Sequence, residues 1–143
     1  MACKCYQKSS LVAVTTRDLT VVADDYINFD FNRLHTGTSI SHADGSSVVR
    51  LNSPGLYLVM FDGTYTIGVA GSATVQLYNK GVAVPGADDT VSGTTAVPRG
   101  LHFATLIEVK PSCAMIDNSA ALQVQINAAG EFADTAITVV KQA

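Results

Sequence analysis

Residues 51–65 read Leu-Asn-Ser-Pro-Gly-Leu-Tyr-Leu-Val-Met-Phe-Asp-Gly-Thr-Tyr. A Pro-Gly turn is followed at once by six apolar residues, Leu56 to Phe61. The run is far too short to cross a membrane as a helix. Its branched and aromatic residues, tightly bounded by turn residues, predict a central β-strand. By the period of two, Tyr57, Val59 and Phe61 share one side and Leu56, Leu58 and Met60 the other. Antiparallel sheets usually alternate apolar and polar residues, because one face meets water. A strand apolar on both sides needs a second burial partner, and a neighbouring subunit is a candidate.

Charge points the same way. The chain of 143 residues fits one domain and can bury about 68–70% of its unfolded surface without staples. Hydrophobic residues make up 48% and charged residues 15%. So little charge fits a chain that hides surface in an assembly. The net charge of −3 and scattered Lys and Arg argue against a nucleic-acid-binding surface. Three cysteines, Cys3, Cys5 and Cys113, do not form a disulfide framework. Met1 to Ser10 has no apolar signal core, so folding in a reducing cytoplasm is expected, with later release on a particle such as a virion.

Along the chain, residues 1–9 read as a short polar arm and residues 10–143 as one domain. Short β-rich runs occupy Leu11 to Val14, Leu19 to Val22, Tyr26 to Phe31 and Val48 to Leu51. Leu34 to Gly45 reads as loop, with a short strand at Ser39 to Ser41. The long strand from Leu56 extends toward Val69, bent at Gly63 or Gly68. Val75 and Leu77 alternate with Gln76, and Asn79-Lys80-Gly81 reads as a hairpin turn. Pro85 to Asp89 reads as loop. Phe103, Thr105, Ile107 and Val109 alternate with His102, Ala104, Leu106 and Glu108. Leu122, Val124 and Ile126 alternate with Gln123 and Gln125. Asn127 to Asp134 reads as loop and Ala136 to Val140 as the closing strand. Short strands separated by Gly, Pro, Asn and Asp predict an all-β sandwich or barrel.

Pro54-Gly55-Leu56-Tyr57-Leu58 followed by Val59-Met60 resembles the Gly-x-Tyr strand of the tumour-necrosis-factor-like superfamily. That superfamily includes the complement globular heads and the heads of bacterial spore glycoproteins. Leu77-Tyr78-Asn79-Lys80-Gly81 resembles its apolar-x-Asn-Gly hairpin, with Lys80 inserted. Residues 103–109, 121–124 and 136–140 resemble later strands, in the expected order. The resemblance implies a ten-strand jelly roll that packs as a homotrimer about a three-fold axis. It puts Tyr57 in the core, and with it Val59 and Phe61. The predicted core further includes Val75, Leu77, Phe103, Ile107, Leu122, Val124 and Ile126. Leu56, Leu58 and Met60 become the predicted trimer contact. With neither a collagen repeat nor a membrane anchor in the sequence, a bacterial or phage setting fits better than a cytokine role.

Cys3-x-Cys5 supplies two soft ligands where zinc needs four, so it reads as part of an attachment arm. His35, His42 and Asp44 lack a further ligand in sequence. Asp24-Asp25 and Asp88-Asp89 lack the alternating spacing of a calcium loop and read as solvated turns. Ser39, Ser41, Ser46 and Ser47 lie in no Gly-x-Ser-x-Gly elbow. His102 reads as a core or interface histidine. Gly68 to Gly71 lacks the context of a phosphate loop. No catalytic residue, metal or cofactor is assigned.

The expectation is a non-enzymatic structural or adhesive trimer on a virion surface, a phage head fibre or capsid decoration protein. The arm with Cys3 and Cys5 would hold it to the capsid or another large particle. The alternative is a carbohydrate- or receptor-binding head of a bacterial cell or spore surface. That reading uses apical loops at residues 32–46, 85–95 and 128–134. Neither reading involves nucleic acid or membrane.

Overall fold

The computed structural model of the chain describes residues 8–111 and 119–143, and the secondary structure there is entirely β. In chain order the strands are β1 (Ser10–Thr15), β2 (Leu19–Val21), β3 (Asp25–Tyr26), β4 (Phe31–Thr36), β5 (Ile40–Ser41) and β6 (Val49–Leu51). There follow β7 (Gly55–Ile67), β8 (Gly71–Asn79), β9 (Val82–Gly93), β10 (Arg99–Val109), β11 (Ala120–Ile126) and β12 (Gly130–Lys141). Ten of these are three residues or longer, and β3 and β5 are two-residue pairings. One antiparallel sheet runs β10-β7-β12-β1-β4, with β2 beside β12. The other runs β5-β6-β11-β8-β9, with β3 beside β11. From β6 to β12 the chain changes sheet at every step except the β8–β9 hairpin, the wrapping of a jelly-roll sandwich.

The core lies between the sheets. Tyr57, Val59 and Phe61 are buried, as are Val75, Leu77, Phe103, Ile107, Leu122, Val124 and Ile126. Phe61 sits at the centre, with Phe29, Phe103 and Phe132 around it at ring-centre distances of 6.5, 5.6 and 6.3 Å. Gly63 makes room for this cluster, because a Cβ there would stand 3.1 Å from the Phe132 ring. Two buried tyrosines keep their hydroxyls satisfied, as burial requires. Tyr57 donates to Ser53 O at 2.7 Å and Tyr65 to Ala128 O at 2.8 Å.

Burial raises the Tyr65 phenol above its ordinary 10.0. Below pH 10 both folded and unfolded forms keep the proton. As pH climbs from 10 toward the folded value, only the unfolded chain releases it, so stability falls. Urea titrations from pH 8 to 11 should show this decline, and Tyr65→Phe should lessen its slope. A second prediction concerns Gly130. A Cβ there would overlap Thr66 O and the Tyr65 hydroxyl. Gly130→Ala should cost about 1–3 kcal/mol, read as a lower thermal midpoint.

Five segments depart from the sequence reading. Of the run Tyr26 to Phe31 only the two end residues lie in strands, and Ile27 and Phe29 reach the core from a connecting segment. Lys8 and Ser9, assigned to the arm, are bonded into the sheet: Ser9 is buried and its carbonyl accepts from Lys141 N at 2.9 Å. Phe31 to Thr36 is strand, held as an edge by pairing with β1. Pro85 to Asp89 lies within β9, which carries extra residues opposite Leu77 where its register shifts against β8. Gly86 takes φ +80° in that bulge, and Gln76 Nε2 pins it by donating to Val84 O at 2.7 Å and Ala87 O at 3.2 Å. Residues 130–134 belong to β12, whose polar start is fixed by pairing with both β2 and β7. The predicted hairpin turn forms at Lys80-Gly81, both at positive φ, as a two-residue connection with right-handed twist demands.

Candidate interaction face

The first sheet presents a second side away from the core, and its make-up follows from the registers. Leu106 of β10 pairs with Leu58 of β7, which pairs with Val140 of β12. One step along, Ala104, Met60, Thr138, Val12 and Leu34 form a row across all five strands of the main path. The next row is His102, Asp62, Ala136, Val14 and Phe31. At a strand spacing of about 4.8 Å the band is roughly 19 Å wide.

Much of this band faces solvent in the single chain. Leu106 is 56% exposed, Leu34 44%, Phe31 42% and Met60 37%. Leu56 and Leu58 are half-buried on the same side. Val12 and Val14 are already buried, so β1 joins β7 in being apolar on both faces. Isolated exposed apolar residues are ordinary, but a contiguous patch of this kind marks a contact surface. The outer side of the other sheet is different: Gln76, Tyr78, Gln123, Gln125 and Tyr26 line it.

The sequence singled out Leu56, Leu58 and Met60, and the structure puts them together on one side of β7. It adds Leu106, Leu34, Phe31, Val12 and Val14, which the sequence reading did not assign to a contact. The signal for Leu106 was present in the alternation of β10. That for Val12 and Val14 lay in the unbroken run Leu11 to Val14.

The polar end of the band is the pair His102 Nδ1 and Asp62 Oδ1, 3.1 Å apart and both well exposed. The His102 backbone N–H donates to Asp89 Oδ2 at 2.9 Å, which ties the interior of β9 to the free edge of β10. Asp89 thus does local structural work, as does Asp25, whose Oδ2 accepts from Val22 N. His42 is buried, with Nδ1 2.6 Å from Asn32 Oδ1 and Nε2 2.8 Å from Ser46 O. Both ring nitrogens are engaged, so His42 offers none to a metal. His35 Nε2 lies 2.7 Å from Ile40 O. Among the described residues no three His, Cys, Asp or Glu side chains gather as metal ligands. Cys3, Cys5 and Cys113 lie outside the described residues.

The sequence matches no protein-family model and no curated protein. Solved structures share its fold. Murine APRIL superposes with a TM-score of 0.70 at 14% identity, covering 94% of this chain and 99% of that one. The globular domain of zebrafish complement 1qA gives 0.65 at 8% identity, covering 92% and 94%. The PRD1 vertex protein P5 gives 0.64 at 15% identity, covering 94% and 97%. The jelly-roll fold is therefore shared with these three proteins over nearly the whole chain.

Proposed function

We propose that the protein is a non-enzymatic structural head that assembles as a homotrimer through the outer side of the β10-β7-β12-β1-β4 sheet. The apolar band across those five strands carries this reading. Each subunit that covers it removes apolar surface from water, at roughly 25 cal/mol per Å². The polar outer side of the opposite sheet would then face solvent.

We further propose a place on a virion surface, as a head fibre or capsid decoration protein. The name of the PRD1 vertex protein P5 supports that setting, as does the low charge of the chain. Residues 1–7, with Cys3 and Cys5, are the proposed attachment segment. The boundary moves inward from residue 9 because Lys8 and Ser9 are bonded to the sheet end. A chain lacking residues 1–7 should keep its oligomeric state in solution and lose at least tenfold in particle binding, measured by co-sedimentation with the particle. Undiminished binding would reject the attachment role while leaving the trimer intact.

A further inference from the structure

At the end of the sandwich where β7 begins and β12 finishes, Lys8, Ser9, Ser39, Lys141, Gln142 and Ala143 line an open cleft of about 240 Å³. Its walls are held by a chain of hydrogen bonds. Ser39 N–H donates to Ser9 Oγ at 3.0 Å, and Ser53 Oγ donates to Ser39 Oγ at 2.8 Å. Lys141 Nζ donates to Ser53 Oγ at 3.3 Å and lies 6.0 Å from the Tyr57 ring centre. Tyr57 in turn fixes Ser53, donating to its carbonyl. Lys8 Nζ donates to Gln142 O at 3.3 Å.

Each ammonium has three N–H groups and uses one, which leaves two apiece. The Ser39 hydroxyl accepts from Ser53 and keeps its own hydrogen. Among the described residues the wall carries no Asp or Glu side chain, and the Ala143 carbonyl oxygen already accepts from Leu56 N at 3.0 Å. Among the described residues neither lysine forms an ion pair. The chain has only nine Lys and Arg and a net charge of −3, yet two lysines converge on this spot.

We propose that this cleft binds an oxyanion, a phosphate or carboxylate group of a ligand, between the Lys8 and Lys141 ammonium groups and the Ser39 hydroxyl. The site is independent of the apolar band and does not require the trimer. Attraction between partly exposed charges is screened by salt, so affinity should fall as ionic strength rises.

The test is an NMR titration of the full chain with sodium phosphate, and separately with sodium acetate, at fixed ionic strength. Saturable shifts are expected at the Ser9, Ser39 and Gln142 amides with at least one of the two. Saturation by phosphate alone assigns a phosphate ligand, and by acetate alone a carboxylate. The double variant Lys8→Gln, Lys141→Gln should raise the dissociation constant at least tenfold, with the rest of the spectrum unchanged. Arg99→Gln, at the opposite end of β10 beside Tyr65, should leave it unaltered. No saturable shift with either anion, or equal binding by the double variant, would overturn the proposal.

Discussion

Leu58→Asp should convert the assembled protein to a folded monomer. Leu58 lies between Leu106 and Val140 on the outer side of its sheet, half-buried in the single chain. A carboxylate there stays hydrated in the monomer, so the sandwich itself loses little. In the proposed assembly it would be buried against the apolar band. Leaving a buried charge unpaired costs about 3–5 kcal/mol. That is between two and four powers of ten in an association constant. Light scattering should show a mass near the 15.0 kDa of one chain, with a β-type circular dichroism spectrum retained. Leu106→Asp should act in the same way and leave the fold even less affected, because Leu106 is 56% exposed before assembly. A Leu58→Asp protein that kept the parental mass would show that this side of the sheet is not the contact.

Phe61→Ala should do the reverse, weakening the fold itself. Phe61 is 1% exposed and packs against three other phenylalanine rings. Removing its ring leaves a cavity that stiff neighbouring strands cannot fill, at a cost of about 3–5 kcal/mol. For a domain of this size the thermal midpoint should fall by about 10 °C or more. Phe61 and Met60 are adjacent in the chain and point to opposite sides, so the pair separates core from contact. Met60→Ala should leave urea unfolding of the monomeric Leu58→Asp background within about 1 kcal/mol, since Met60 is 37% exposed there. Phe61→Ala in that background should retain its full penalty.

Where packing alone decides the structure, alternation in the sequence was enough. Leu122, Val124 and Ile126 face the core because glutamines separate them, and β10 reads the same way. The all-β sandwich followed from many short runs of this kind. The misses occurred where tertiary pairing overrode local composition. Pro85, Gly86, Asp88 and Asp89 are poor strand residues, yet β9 holds them because the bulge is pinned by Gln76 and the edge is tied to His102. Gly130, Glu131 and Asp134 read as loop until β2 and β7 are known to flank them. The exposed strand β4 has no clean period, since an edge strand packs on fewer neighbours.

The contact side was legible only in part. The double-apolar character of β7 was plain because Leu56 to Phe61 contains no polar residue. The wider band needs registers, which relate Met60 to Leu34 across three intervening pairings. Linear spacing contains no such relation. The cleft between Lys8 and Lys141 was hidden for the same reason, its two cations lying at opposite ends of the chain.

Sedimentation equilibrium of the unaltered protein at micromolar concentration tests the central claim most directly. A single species of three times 15.0 kDa is expected. A single species of 15.0 kDa at that concentration would contradict it, leaving the apolar side of the β10-β7-β12-β1-β4 sheet without the partner assigned to it.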